Sequence, residues 1–148
     1  RPRKGETAPN WTLKNPDGKE VTLEGLRGKV VVLDFWATWC GPCKRAMPEI
    51  NRLHEEYKDK EVVVYGVQVF EDDKQKAIDY MKDQNFTYGL LFGNDKLAEA
   101  YGITGIPSFF VIGPDGKVLY EATGFSPKNE EELKKAVAEG SEAARKAK

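Results

Sequence analysis

Apolar and polar residues alternate from Pro9 to Leu26 around the turn tetrad Asn15-Pro16-Asp17-Gly18, which predicts a β-hairpin with Trp11, Leu13, Val21 and Leu23 on one side. Beyond Leu26-Arg27-Gly28 the alternation gives way to an unbroken apolar stretch, Val30-Val31-Val32-Leu33 within Lys29–Phe35, as expected of a buried central strand. The period then turns helical. From Cys40 to about Tyr57, the residues Met47, Ile50, Leu53 and Tyr57 recur on one stripe, and Pro48 inside this segment predicts a kink.

The β-branched run Glu61–Phe70 reads as a second strand, and Asp72-Asp73 open a helix from Lys74 to about Gln84 with Ala77, Ile78 and Met81 inward. A short strand Thr87–Phe92 and a short helix Lys96–Tyr101, stopped by Gly102, come next. Pro107–Ile112 and Lys117–Ala122 flank the turn Gly113-Pro114-Asp115-Gly116 as a second hairpin. A last helix begins near Pro127 or Asn129 and runs to about Lys146, weakening after Gly140. Strands alternating with helices, then a hairpin and a helix, predict an α/β sandwich with a mixed sheet. Neither repeats nor a low-complexity linker interrupts the chain, so a single domain over residues 1–148 is expected.

Length adds that 148 residues suffice for a full hydrophobic core without staples. With 23 basic against 24 acidic residues the net charge is −1, which supplies no overall field toward nucleic acid or an anionic membrane. No apolar run approaches the roughly 20 residues that cross a bilayer. The chain opens without methionine and without a charged-then-apolar secretory segment. A removed signal or anchor, and none at all, both fit that opening.

The chemistry concentrates at Cys40-Gly41-Pro42-Cys43, which holds both cysteines of the chain and follows Asp34-Phe35-Trp36-Ala37-Thr38-Trp39. Two thiols two residues apart at a helix start can close a reversible disulfide, and the unpaired N–H groups and helix dipole there favour a thiolate. Cys40 is the expected nucleophile, its pKa drawn from roughly 8.5 toward about 7, and Cys43 the resolving thiol one turn deeper. Zinc would need four ligands, and the one histidine, His54, lies well along the helix. A purely structural bridge over so short a loop would contribute little. Asp34 interrupts an apolar strand just before the dithiol, where burial would raise its pKa and fit it to accept the Cys43 proton. No phosphate-cradling or dinucleotide pattern is present, and no bound cofactor or metal is expected.

Asp34-Phe35-Trp36-Ala37-Thr38-Trp39-Cys40-Gly41-Pro42-Cys43-Lys44, Pro48, Tyr101-Gly102-Ile103-Thr104-Gly105-Ile106-Pro107-Ser108 and Gly124 together resemble the thioredoxin superfamily. The resemblance covers nearly all of residues 5 to 140. It implies a thioredoxin-like α/β/α sandwich, a cis Pro107 beside the dithiol, and an Ile106 backbone that pairs with an extended substrate segment. Trp39 and Gly124 would belong to the docking surface. Gly5-Glu6-Thr7-Ala8-Pro9-Asn10-Trp11 with its hairpin, Leu26-Arg27-Gly28-Lys29, and the helix–strand unit Asp72–Phe92 are similar to the extracytoplasmic TlpA/ResA-type reductases, close to the redoxin and peroxiredoxin group.

Three departures stand out. Many members of that branch have asparagine at Asp34 and glutamate at Ala46, and thioredoxin has a lysine on the strand matching Val62–Phe70, where this chain has none.

The resemblance implies a thiol–disulfide oxidoreductase that reduces protein disulfides, with a potential near about −270 mV. It further implies a monomer outside the cytoplasm, drawing electrons from an upstream dithiol donor in the membrane and serving disulfide correction or cytochrome c maturation. A cytoplasmic location is the alternative. Two rivals are a thiol peroxidase of the redoxin group and a non-enzymatic peptide-binding module. His54, Trp11, the tyrosines and Phe109-Phe110 read as packing or surface.

Overall fold

The computed structural model describes residues 1–148 and contains seven strands, four α-helices and one 3-10 turn. The N-terminal hairpin is β1 (Thr12–Lys14) and β2 (Glu20–Thr22), followed by the 3-10 turn Glu24–Leu26. β3 (Val30–Trp36) leads into α1 (Gly41–Tyr57), then β4 (Val62–Gln68), α2 (Lys74–Asp83), β5 (Gly89–Phe92) and α3 (Asp95–Ala100). The second hairpin, β6 (Ser108–Ile112) and β7 (Val118–Thr123), precedes α4 (Pro127–Lys146).

All strands join one sheet in the order β2-β1-β5-β4-β3-β6-β7. β3, β4 and β5 run parallel, and β1, β6 and β7 pair antiparallel to their neighbours, so the sheet is mixed. Every residue of β3 is buried, Asp34 included, as the apolar run Val30–Leu33 led one to expect. Its pleat divides the core in two. Val30, Val32 and Trp36 face a layer completed by Met47, Ile50 and Leu53 of α1, Ala77 and Met81 of α2, and Leu133 and Val137 of α4. Val31, Leu33 and Phe35 face the other layer, formed with Trp11, Leu13 and Leu23 of the hairpin region and Leu97 and Ala98 of α3.

The first hairpin forms around Asn15, whose side-chain oxygen accepts from the Asp17 and Lys19 amides at 3.0 Å each. α1 runs unbroken through Pro48, and Ser126 caps α4 by accepting from the Asn129 amide. α4 runs to Lys146, as expected, and passes Gly140 without interruption, the missing side chain there letting the helix sit against the sheet. A Cβ at position 140 would lie 3.0 Å from both Leu119 Cδ1 and Val30 Cγ2. No helix is long and apolar enough to cross a membrane.

Candidate active site

β3 ends at Trp36, and the short loop Ala37–Trp39 delivers Cys40 to the N-cap of α1. Cys40 is extended rather than helical there, so its sulfur faces the first-turn amides and accepts from the Cys43 N–H at 3.2 Å. Proline in the first helical turn suits this start, since its missing N–H would have no intrahelical partner. Cys40 and Cys43 are joined as a disulfide with their Cα atoms 5.3 Å apart. Cys43 has no exposed surface, whereas Cys40 retains 4 %. Both are buried, and Cys40 alone of the two keeps any surface.

The Ile106 carbonyl oxygen lies 3.7 Å from Cys40 Sγ, and the Ile106–Pro107 peptide is cis. The Ser108 hydroxyl donates to the Gly105 carbonyl at 2.6 Å, and the Gly124 amide donates to the Pro107 carbonyl at 2.8 Å. Gly124 has φ +88, a conformation natural to glycine alone, and Asn129 Nδ2 donates to its carbonyl at 3.1 Å. Ile106, Pro107 and Gly124 therefore gather beside Cys40 from two loops far apart in sequence.

Trp39 is 62 % exposed and Phe70 42 %, the two large apolar side chains open to solvent. They are adjacent, because Trp39 Nε1 donates to the Phe70 carbonyl at 3.0 Å. Beneath them Glu71 accepts from the Thr38 amide at 2.9 Å, from the Thr38 hydroxyl, and from Gln68 Nε2 at 2.8 Å. Burial pushes the Glu71 carboxyl up, but these hydrogen bonds outweigh it and hold the group below its ordinary value. Glu71, Gln68 and Thr38 thus tie the loop before the dithiol to the end of β4. The clasp is not legible in the sequence, where its one signal is a carboxylate just after the β-branched run Glu61–Phe70.

Asp34 faces the α1 side of the sheet, the side of Val32 and Trp36, and is 1 % exposed. Neither carboxyl oxygen has a hydrogen-bond partner within the protein. Burial, with no cation beside it, raises its pKa from 3.8 to about 8. The β4 neighbour in register is Gly66, which bears no side chain, and the Trp36 and Tyr88 rings cover it instead. Ala46 is buried in the same layer, so no second carboxylate stands at that position of α1.

Residues 4–121 match the AhpC/TSA family. The chain is 37 % identical over 134 residues to the thiol-disulfide oxidoreductase ResA of Bacillus thuringiensis subsp. konkukian, covering 88 % of this chain and 77 % of that protein. It is 35 % identical over 121 residues to ResA of Bacillus subtilis, covering 81 % and 67 % respectively. A crystal structure assigned to a thiol:disulfide interchange protein DsbE from Chlorobium tepidum superimposes with a TM-score of 0.87 at 32 % identity, over 95 % of this chain and 99 % of that one.

Proposed function

The chain belongs to the AhpC/TSA family and is a thiol–disulfide oxidoreductase of the ResA and DsbE type, and from that premise we propose that it reduces protein disulfides. Cys40 is the nucleophile, Cys43 the resolving thiol and Asp34 the base. The ionised Cys40 sulfur attacks one sulfur of a partner disulfide, forming a mixed disulfide and expelling the other sulfur as a thiolate that takes a proton from water. The Cys43 thiol then gives its proton to the Asp34 carboxylate, and its sulfur attacks Cys40 Sγ. The second partner thiolate leaves and is protonated in turn. The partner gains two electrons from the dithiol and two protons from water, the dithiol's own protons go to water, that of Cys43 by way of Asp34, and the Cys40–Cys43 disulfide remains.

The observation that carries this reading is the placement of Cys40 Sγ at the start of α1, accepting from the Cys43 amide while Cys43 itself is sealed. A negative sulfur is favoured at such a helix start, and the fully buried partner can act only after Cys40 has been captured. Trp39, Ile106, Pro107 and Gly124 form the rim that receives an extended partner segment, with the Ile106 backbone available to pair with it. By likeness to the TlpA/ResA type, the protein works as a monomer outside the cytoplasm. It takes electrons from a membrane-bound dithiol donor and serves disulfide correction or cytochrome c maturation.

The test uses insulin-disulfide reduction and peroxide consumption in parallel. Cys40→Ser is expected to abolish insulin reduction, and Cys43→Ser to accumulate mixed disulfides through Cys40. Peroxide turnover exceeding insulin reduction would favour a thiol peroxidase. Partner capture that survives in the Cys40→Ser, Cys43→Ser double variant without turnover would favour a binding module.

A further inference from the structure

A base that is protonated at neutral pH serves the resolving step poorly, and Asp34 has no cation to hold it ionised. What surrounds it narrows the choice of helper. In register beside it on β4 stands Gly66, and a Cβ there would meet Trp36 Nε1 at 3.0 Å and Tyr88 Cε2 at 3.2 Å. The Trp36 and Tyr88 rings therefore share the space over Gly66, beside the Asp34 side chain, and Tyr88 is the one of the two that carries a hydroxyl. Tyr88 is 4 % exposed, and its hydroxyl, like both Asp34 oxygens, lacks a hydrogen-bond partner within the protein. Buried hydroxyls and carboxylates are seldom left so, and here two unpaired donors, Trp36 Nε1 and the Tyr88 hydroxyl, share one layer of the core with the two Asp34 acceptors, none of them bonded to another in the oxidised chain.

We propose that the Tyr88 hydroxyl is the group that stabilises the ionised Asp34 carboxylate, donating a hydrogen bond to it when the resolving step requires the base. Tyr88 is a positioning residue, acting on Cys43 only through Asp34. A phenol suits the role because it stays neutral and keeps its proton, burial and the Asp34 charge both pushing its own ionisation well above the ordinary value. The other titratable groups around the pair are few. Cys43 and His54 come from α1, and Tyr80 from α2, with Lys44 Nζ over the Tyr80 ring at 5.6 Å. The His54 ring centroid lies 6.4 Å from that of Tyr88, and burial lowers the His54 pKa, so it is uncharged at neutral pH. β4 and β6 contribute Gly66 and Phe109 opposite Asp34, neither of which titrates.

The inference rests on Asp34 being the base, so the test separates the two. In single-turnover reduction of a protein disulfide followed by Trp fluorescence, Tyr88→Phe removes one oxygen and keeps the ring. It is expected to leave the Cys40 attack unchanged and to move the pH midpoint of the resolving step up by about one unit, a tenfold loss of ionised base at neutral pH. In the Asp34→Asn background, Tyr88→Phe is expected to have no further effect. The unaltered protein gives a second readout: the 13Cζ resonance of Tyr88 should titrate with the Asp34 midpoint and go flat in Asp34→Asn. If Asp34→Asn slows resolution but the Tyr88 resonance stays flat or Tyr88→Phe leaves the midpoint in place, the Tyr88 role is overturned. If Asp34→Asn slows both chemical steps equally, the base assignment fails instead.

Discussion

Asp34, as the base we propose, would serve chemistry at the expense of stability. Its carboxyl titrates near 8 in the folded chain against 3.8 ordinarily, because ionising it means placing a charge among Val32, Trp36 and their neighbours. The folded state therefore holds this proton where the unfolded chain has released it. Between those two values the sign is fixed for this group: its contribution to stability is most favourable below about pH 4, falls as pH rises, and levels off above about 8. Asp34→Asn removes the penalty. In the oxidised protein we expect this variant to be more stable than the parent at pH 8, on the order of a few kcal/mol, with the gap closing toward pH 4 in denaturant titrations. A gap that does not vary with pH would mean that Asp34 is solvated or paired. Tyr88, by contrast, could not be read as functional in advance. Phe86-Thr87-Tyr88 looks like any strand entry, and only the register of Asp34 with Gly66 brings the Tyr88 ring near the carboxyl.

Elements hold the site by contacts that their own periodicity does not announce. The Thr38–Glu71 clasp joins the loop before α1 to the end of β4, and Trp39 leans on the Phe70 carbonyl. Glu71→Ala should free this rim while leaving the cysteines in place. The expected result is a KM for a protein disulfide raised several-fold, about a factor of five, with little change toward a small disulfide such as oxidised glutathione. Equal losses on both substrates would place Glu71 closer to the chemistry than the hydrogen bonds suggest. α4 carries a second such contact at Gly140. In an exposed helix glycine to alanine would stabilise by about 1 kcal/mol, but here the new methyl meets Leu119 and Val30 at 3.0 Å. We expect Gly140→Ala to lose about 1 kcal/mol net in urea unfolding. A gain would show that α4 can lift from the sheet at no cost.

At the scale of the molecule, what could be read in advance was whatever local pattern dictates. The apolar run Val30–Leu33 gave a central strand, Asn15-Pro16-Asp17-Gly18 a hairpin, and the i, i+3 stripe from Met47 the dithiol helix. The order in which the strands assemble was not legible, since β1 meets β5 through a single pair, Lys14 and Phe92, more than seventy residues apart. For the same reason the approach of Ile106 and Gly124 to Cys40 came from family resemblance rather than from spacing. The whole assembly is expected to behave as a reductant with a potential near about −270 mV, measured against glutathione or a thioredoxin couple. A value near about −120 mV would instead mark an oxidant.

In the proposed reaction the outer sulfur is ionised and reachable while the inner one is not. The reduced protein should be alkylated with iodoacetamide across a pH series and the modified residue mapped by mass spectrometry. We expect modification of Cys40 alone with a midpoint near about 7, whereas a midpoint at or above about 8.5, or label on Cys43, would contradict it.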